Sequence, residues 1–208
     1  AILIYIFPTL FGEGYESIRI LSESDPGQLL EDTLFSSFRN NSWVLLLFVG
    51  CTMMLKAFAS GLTIGSGGNG GNFAPSLFLG SYVGFFFSKL INLIGLTKLP
   101  ISNFTLVGMA GILSGLFHAP LTAIFLIAEI TGGYNLMIPL MIVSSISFAI
   151  SKRFEKHSMD VKNLAKKGHA FTSNKDANVL STLDTNSIIQ TDYLTVSPNE
   201  NLDKLVDL

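Results

Sequence analysis

The stretch Gly65–Gly80, "GSGGNGGNFAPSLFLG", decides how this chain folds, because it sets six glycines around the start of a helix with no charged residue among them. Its first part, Gly65-x-Gly67-x-x-Gly70, satisfies the pattern of a dinucleotide-binding loop. Such a loop needs a buried strand before it, an amphipathic soluble helix after it, and an acidic residue about twenty positions on to hold a ribose. The flanks here are "WVLLLFVGCTMMLKAFASGLTI" and "FAPSLFLGSYVGFFFSKLINLIGL". Both are too apolar and too long for a doubly wound soluble domain, so a soluble dinucleotide enzyme is excluded.

Composition points to a membrane. Of the 208 residues, 49% are hydrophobic and 13% charged, with 17 Phe and a mean hydropathy of +0.50. No Asp, Glu, Lys or Arg occurs from Ala57 to Ser88, from Leu99 to Ala128, or from Ile130 to Ser151. These gaps are membrane-sized, since about 20 helical residues cross a hydrocarbon core. A formal net charge of -2 gives no reason to expect a nucleic-acid partner. The single Cys51 excludes an internal disulfide within the chain and, lying in an apolar run, is expected to be an inert buried thiol.

Along the chain, Ala1–Phe11 is an apolar run cut by Pro8, and Gly12–Asn41 reads as a polar loop with short helical pieces. Five apolar helices are expected at Trp43–Thr63, Phe73–Leu96, Phe104–Leu116, Pro120–Thr131 and Asn135–Ser151. The third and fourth are too short to span alone. With Pro120 opening the fourth and Gly132-Gly133 following it, helices that stop partway through the bilayer are expected. Irregular backbone at that depth is tolerated only where it is buried in protein or lines a wet cavity, and broken apolar segments point to a transporter's ion site. Small residues recur every four positions at Ser76, Gly80, Gly84 and Ser88, at Gly61 and Gly65, and at Gly111 and Gly115, a spacing that lets helix backbones approach closely.

The opening stretch then acquires a chemistry. Asn72 is placed as a helix N-cap and Pro75 is tolerated in a first turn whose amides have no partner within the helix. A helix N-terminus carries roughly half a positive charge and a fan of free N–H donors, which suits an anion. Neither Lys nor Arg is at hand to bind too tightly, and an ion held by dipoles and amides alone can also leave.

These residues carry a family resemblance. "GSGGNGGNFAP" resembles the G-x-F-x-P signature of the CLC family of voltage-gated chloride channels and chloride/proton antiporters; "GMAGILSGLFHAPLTAIFLIAEITGGYNLMIPLMI" and "FPTLFGEGY" resemble further segments of the same family. The similarity runs from about Phe7 to Gly168. It implies an all-α integral membrane protein, here the C-terminal half of an antiparallel two-repeat fold with broken and re-entrant helices. It implies a homodimer with one anion pathway per subunit, the interface falling partly on 120–131 and 135–151, whose exposed faces are read as Leu121, Ile124, Phe125, Ile127, Ile138 and Ile142.

The anion-binding residues carried over are Gly71, Asn72, Phe73, Ala74 and Pro75, with the amides of Asn72 and Phe73 facing the ion. The family often has a hydrophobic residue at position 72, a change to which a backbone donor is indifferent. The family's serine loop and its gating glutamate, in a G-x-E-G-P motif, belong to a first half outside this chain, so the 208-residue piece is not expected to conduct alone. Gly12-Glu13-Gly14 is not that motif, because Tyr15 stands where proline should, and Glu13 reads as an ordinary loop acid. "KHSMDVKNLAKKG" resembles a stretch whose tyrosine hydroxyl meets the central anion, and Asp160 falls at the tyrosine position. A carboxylate there repels an anion, so Asp160 is turned away, protonated, or one residue out of register.

Other residues carry blander expectations. Glu129 reads as a carboxylate satisfied near the "TGG" turn or at a subunit contact, His118 as a hydrogen-bonded structural histidine, Lys56 as a side chain snorkelling to an interface, and Tyr134 as an interface anchor. No pair of carboxylates, Cys/His cluster or nucleophile with a base is present, so no enzymatic reaction, cofactor or metal is expected, and the transported ion is chloride or a similar anion. The basic run Lys152–Lys167 puts that end in the cytoplasm of an inner or plasma membrane.

Three regions are expected: residues 1–168 as the second half of the membrane domain, 169–187 as a cytoplasmic linker, and 188–208 as the start of a cystathionine-beta-synthase-type (CBS) domain, an α/β fold. Within the last, Ser197, Pro198 and Glu200 form a capping box at a helix start. That resemblance brings an adenine nucleotide as a possible ligand, and with it an alternative function, a membrane-anchored nucleotide sensor.

Overall fold

A computed structural model describes residues 2–23, 25–31, 33–166 and 180. The chain divides into two compact units, Ala1–Asp160 and Val161–Leu208. The capping box and the CBS start at 188–208, and the linker apart from Leu180, lie outside the described residues.

The first unit is helical throughout its described elements. A short helix α1 (Ile2–Ile6) is followed by the 3-10 turn Pro8–Leu10 and by α2 (Tyr15–Ser22). The loop after it is tied down by Arg39, whose guanidinium pairs with both Asp25 and Glu31. Then come α3 (Ser42–Gly65), α4 (Phe73–Ile94), α5 (Ile101–Phe117), α6 (Pro120–Ile130) and α7 (Met137–Phe154). A final helix α8 (Met159–Lys166) begins in the first unit and ends in the second. Helices α3 and α4 and the segment beginning at Met137 are long and apolar enough to cross a membrane, whereas α5 and α6 are shorter. At 1.5 Å per residue, α3 reaches about 36 Å, more than a hydrocarbon core.

The ends of these helices follow from their residues. Asn41 caps α3 through its side chain, accepting from the Trp43 amide at 3.0 Å. Gly95, at φ +79, closes α4 in the left-handed conformation that lacks a penalty only for glycine. Between α5 and α6 the same conformation is taken by His118, at φ +55, and Pro120 then opens α6, where its missing N–H is one the helix would leave unpaired anyway.

Helix α4 is the centre of the unit. Phe78, Tyr82 and Phe85 are fully buried, Phe78 and Tyr82 stacking at 4.0 Å between centroids. Against α5 the backbones meet directly: a Cβ added at Gly80 would lie 2.6 Å from the Met109 Cα, and at Gly84 or Gly108 it would strike backbone of the facing helix. Ser76 and Ser88, the outer members of the same four-residue spacing, are buried with their hydroxyls turned back to Phe73 O and Phe85 O. Helix α5 also packs on α7, and hydroxyls cross that seam turn by turn. Ser114 donates to Ser144 O at 2.6 Å, Ser147 to Gly111 O at 2.7 Å and Ser151 to Gly115 O at 2.6 Å. Gly111 and Gly115 let the two helices close up there, because a Cβ would press on the Val143 and Ser147 side chains respectively.

Four expectations are corrected. Gly61 and Gly65 share the spacing of packing glycines but have nothing within 4 Å of a built Cβ. Cys51 is exposed, not buried; α3 is apolar over most of its surface, and such a helix has faces that lipid can cover. Ile124 and Ile127 are buried at 4% and 0% exposure, while Leu121, Phe125, Ile138 and Ile142 are exposed as expected. On an apolar eleven-residue helix the sequence does not separate the inward face from the outward one. Lys56 does not snorkel to an interface but is buried at 3% exposure, with partners described below.

Candidate functional site

The glycine-rich loop leads into α4 through Asn72, which occupies the N-cap position at φ -87 and ψ -12. Its side chain makes no cap hydrogen bond, contrary to the expectation that it would serve as one. An N-cap residue normally has extended backbone angles, which bring its side chain over the N2 and N3 amides; the helical angles at Asn72 do not. The intrahelical ladder starts with Ser76 N donating to Asn72 O at 3.1 Å. Pro75 has no N–H. The amides of Asn72, Phe73 and Ala74 are therefore left without an acceptor among the described residues.

Asn72 and Phe73 open onto a cavity of about 400 Å³, shared with Leu113 and Phe117 of α5, with Ala119, Thr122, Ala123 and Leu126 at and within α6, and with Asp160. The rings of Phe73 and Phe117 lie 6.1 Å apart. Among the described residues its walls are thus apolar except for Thr122, Asn72 and one carboxylate, and none of them is basic. A second helix start faces the same space. Ala119 is the N-cap of α6 and makes no side-chain cap, Ala123 N donates to Ala119 O at 3.0 Å, and the amides of Leu121 and Thr122 have no acceptor among the described residues. Two N-termini, each carrying roughly half a positive charge and free donors, converge on one apolar space. Such a space can hold a partly dehydrated anion through dipoles, without a counter-charge.

The residues singled out from the sequence are not all brought together. Asn72, Phe73 and Asp160 line this cavity. Gly71 and Pro75 line another, of about 190 Å³, with Gly70, Lys56, Leu10, Gly12 and residues of α3. Ala74 lines neither. The contribution of α6 to the site is not legible in the sequence: the Ala119-Pro120 break marks a helix start, but nothing local says that it faces α4.

The remaining candidates lie elsewhere. His118 packs edge-on to Phe148 at 5.7 Å and its Nε2 is 3.4 Å from Ser151 Oγ. The Ser151 hydroxyl itself donates to Gly115 O, so the imidazole sits in a packed, structural setting. Glu129 is exposed; its carbonyl accepts from Gly132 N at 3.0 Å in the following turn, but its carboxylate has no partner there among the described residues, and the Thr131 hydroxyl lies 3.0 Å from Ala128 O and 3.3 Å from Gly133 O. Tyr134 and Glu13 are exposed.

The family model described as "Voltage gated chloride channel" matches residues 1–152. Over 160 residues the chain is 28% identical to the voltage-gated ClC-type chloride channel ClcB of Escherichia coli (strain SMS-3-5 / SECEC), covering 76% of this chain and 34% of that protein. It is 40% identical over 103 residues to the H(+)/Cl(-) exchange transporter ClcA of Vibrio cholerae serotype O1, covering 49% of this chain and 21% of the relative. To ClcA of Vibrio vulnificus it is 36% identical over 105 residues, 50% of this chain and 21% of the relative. The chain thus spans between about a fifth and a third of the length of these curated relatives.

Proposed function

The chain belongs to the voltage-gated chloride channel family, a family of transporters and not of enzymes, and from that premise we propose that it supplies one side of an anion pathway. The transported ion is chloride or a similar anion, held by the amides of Asn72 and Phe73. One observation carries the reading: among the described residues, the first turn of α4 has amides without acceptors and opens on an apolar cavity lined by no basic side chain. An anion bound there is stabilised by the helix field and by N–H donors, and it leaves without breaking an ion pair. The amides of α6 and the Thr122 hydroxyl add donors from the opposite wall. Asp160 sets the limit on affinity, since a carboxylate lining the same cavity repels the ion. In the full-length protein this half works with a second half in a homodimer, with contacts through 120–131 and 135–151 and the basic end after α7 in the cytoplasm.

Reconstitution of the full-length protein in chloride-loaded liposomes tests this reading, with chloride release and internal pH followed together. Chloride release well above that of protein-free vesicles is expected, and folded protein without such release would refute it. Proton movement in fixed proportion to chloride separates an exchanger from a channel, the two activities named for the relatives.

A further inference from the structure

Lys56 is the one charged residue among the described ones that is buried, and it lies within a helix long enough to span a membrane. An ionised side chain at such a position is costly unless it is fully partnered. Its Nζ donates to Leu10 O at 3.0 Å and to Gly12 O at 2.8 Å, main-chain oxygens more than forty residues away in sequence. It also stands 5.0 Å over the centre of the Phe78 ring. No carboxylate pairs with it among the described residues.

Two segments meet at this ammonium, and a third borders the same cavity. Leu10 and Gly12 lead into Gly14, whose φ is +82 and whose α-carbon lies so close to the Phe78 ring that a Cβ would collide with it. Phe78 is fully buried in the second turn of α4. On its other side Lys56 shares the 190 Å³ cavity with Gly70, Gly71 and Pro75, the residues through which the glycine loop enters α4. With two N–H groups given to carbonyls and the third direction facing a ring, the ammonium has no donor left for an anion. Its influence on the site is through position and through space.

We propose that Lys56 is a positioning residue of the anion site: it locks the first turns of α4 against residues 10–14, and it places a positive charge behind the anion-facing amides. This rests on the reading of the α4 N-terminus as the anion's seat.

The test uses the full-length protein with Lys56→Met, Lys56→Gln and Lys56→Arg, and two readouts. Hydrogen exchange at 10–14 and 70–78 does not depend on transport. In the two neutral variants it is expected to quicken by about tenfold, with the α5–α7 seam unchanged, as local opening without global unfolding would give. The chloride dependence of efflux is the second readout. Half-saturating chloride is expected to rise by about fivefold or more in Met and Gln with a smaller change in limiting rate, the order of effect of deleting one unit charge inside a protein. Arg, which keeps charge and donors, is expected to stay within about twofold.

If Met fails to fold, Gln and Arg decide. A Gln variant that matches wild type in half-saturation overturns the charge role, an Arg variant as impaired as the neutral ones overturns it too, and unchanged exchange overturns the positioning role. Wild-type protein that carries no chloride refutes the proposed function instead, and the exchange arm still reads out the lock.

Discussion

Asn72 contributes to the proposed site through its amide, and its side chain makes no cap bond. Asn72→Leu is therefore expected to leave chloride flux per folded protein within about threefold of wild type, since the loss of a few tenths of a kcal/mol is all that follows from an unused side chain. Phe73→Pro deletes a donor where the helix field is strongest and is expected to cut flux by about tenfold or more. The reverse order, measured by chloride efflux from liposomes, would make the Asn72 side chain the ligand. Asp160 tests the sign of the electrostatics from the other wall. Asp160→Asn removes the one charged group among the described residues that line the cavity, so chloride affinity measured by calorimetry is expected to rise several-fold; an unchanged or weaker affinity would show that this carboxylate does not face the anion.

The elements were legible in the sequence to the extent that their signals were local. The α3, α4 and α6 boundaries fall within two residues of those read from hydropathy, Asn, Gly and Pro, because a membrane-length apolar run and its breakers are properties of the segment itself. The start of α5 at Ile101 instead of Phe104 was missed, since Pro100 before it marks the N-terminus and the polar Ser102 and Asn103 sit in its first turn. What could not be read was which face of an apolar helix turns inward, as Ile124 and Ile127 show, and any partner distant in sequence. Lys56 is the clearest case, since its acceptors are the carbonyls of Leu10 and Gly12, and carbonyls leave no trace in a residue code. The convergence of α6 on α4 is hidden for the same reason.

The helix seams supply a direct test at this level. Gly84→Val drives a side chain into the Phe104 backbone of α5 and is expected to destabilise by about 3 kcal/mol or more. Gly61→Ala meets open space and is expected to be neutral or to stabilise by up to about 1 kcal/mol. Thermal unfolding in detergent reports both, and equal effects would mean that the small-residue spacing, and not the α4–α5 contact, determines the response.

At the level of the molecule, the exposed apolar residues of α6 and α7 are the surface on which a dimer contact is proposed. In a full-length protein cleared of its native cysteines, Cys51 included, single cysteines at Leu121, Phe125, Ile138 and Ile142 are expected to cross-link subunits, whereas cysteines at the buried Ile124 and Ile127 are not. Failure at all four exposed positions would remove the contact from these helices. The most direct test of the anion site itself is anomalous diffraction from crystals of the whole protein grown in bromide. An anomalous peak within hydrogen-bonding distance of the Asn72 and Phe73 amides, in the cavity between α4 and α6, is expected. Ordered bromide elsewhere along the pathway, with none at that turn, would contradict the assignment of the anion to the N-terminus of α4.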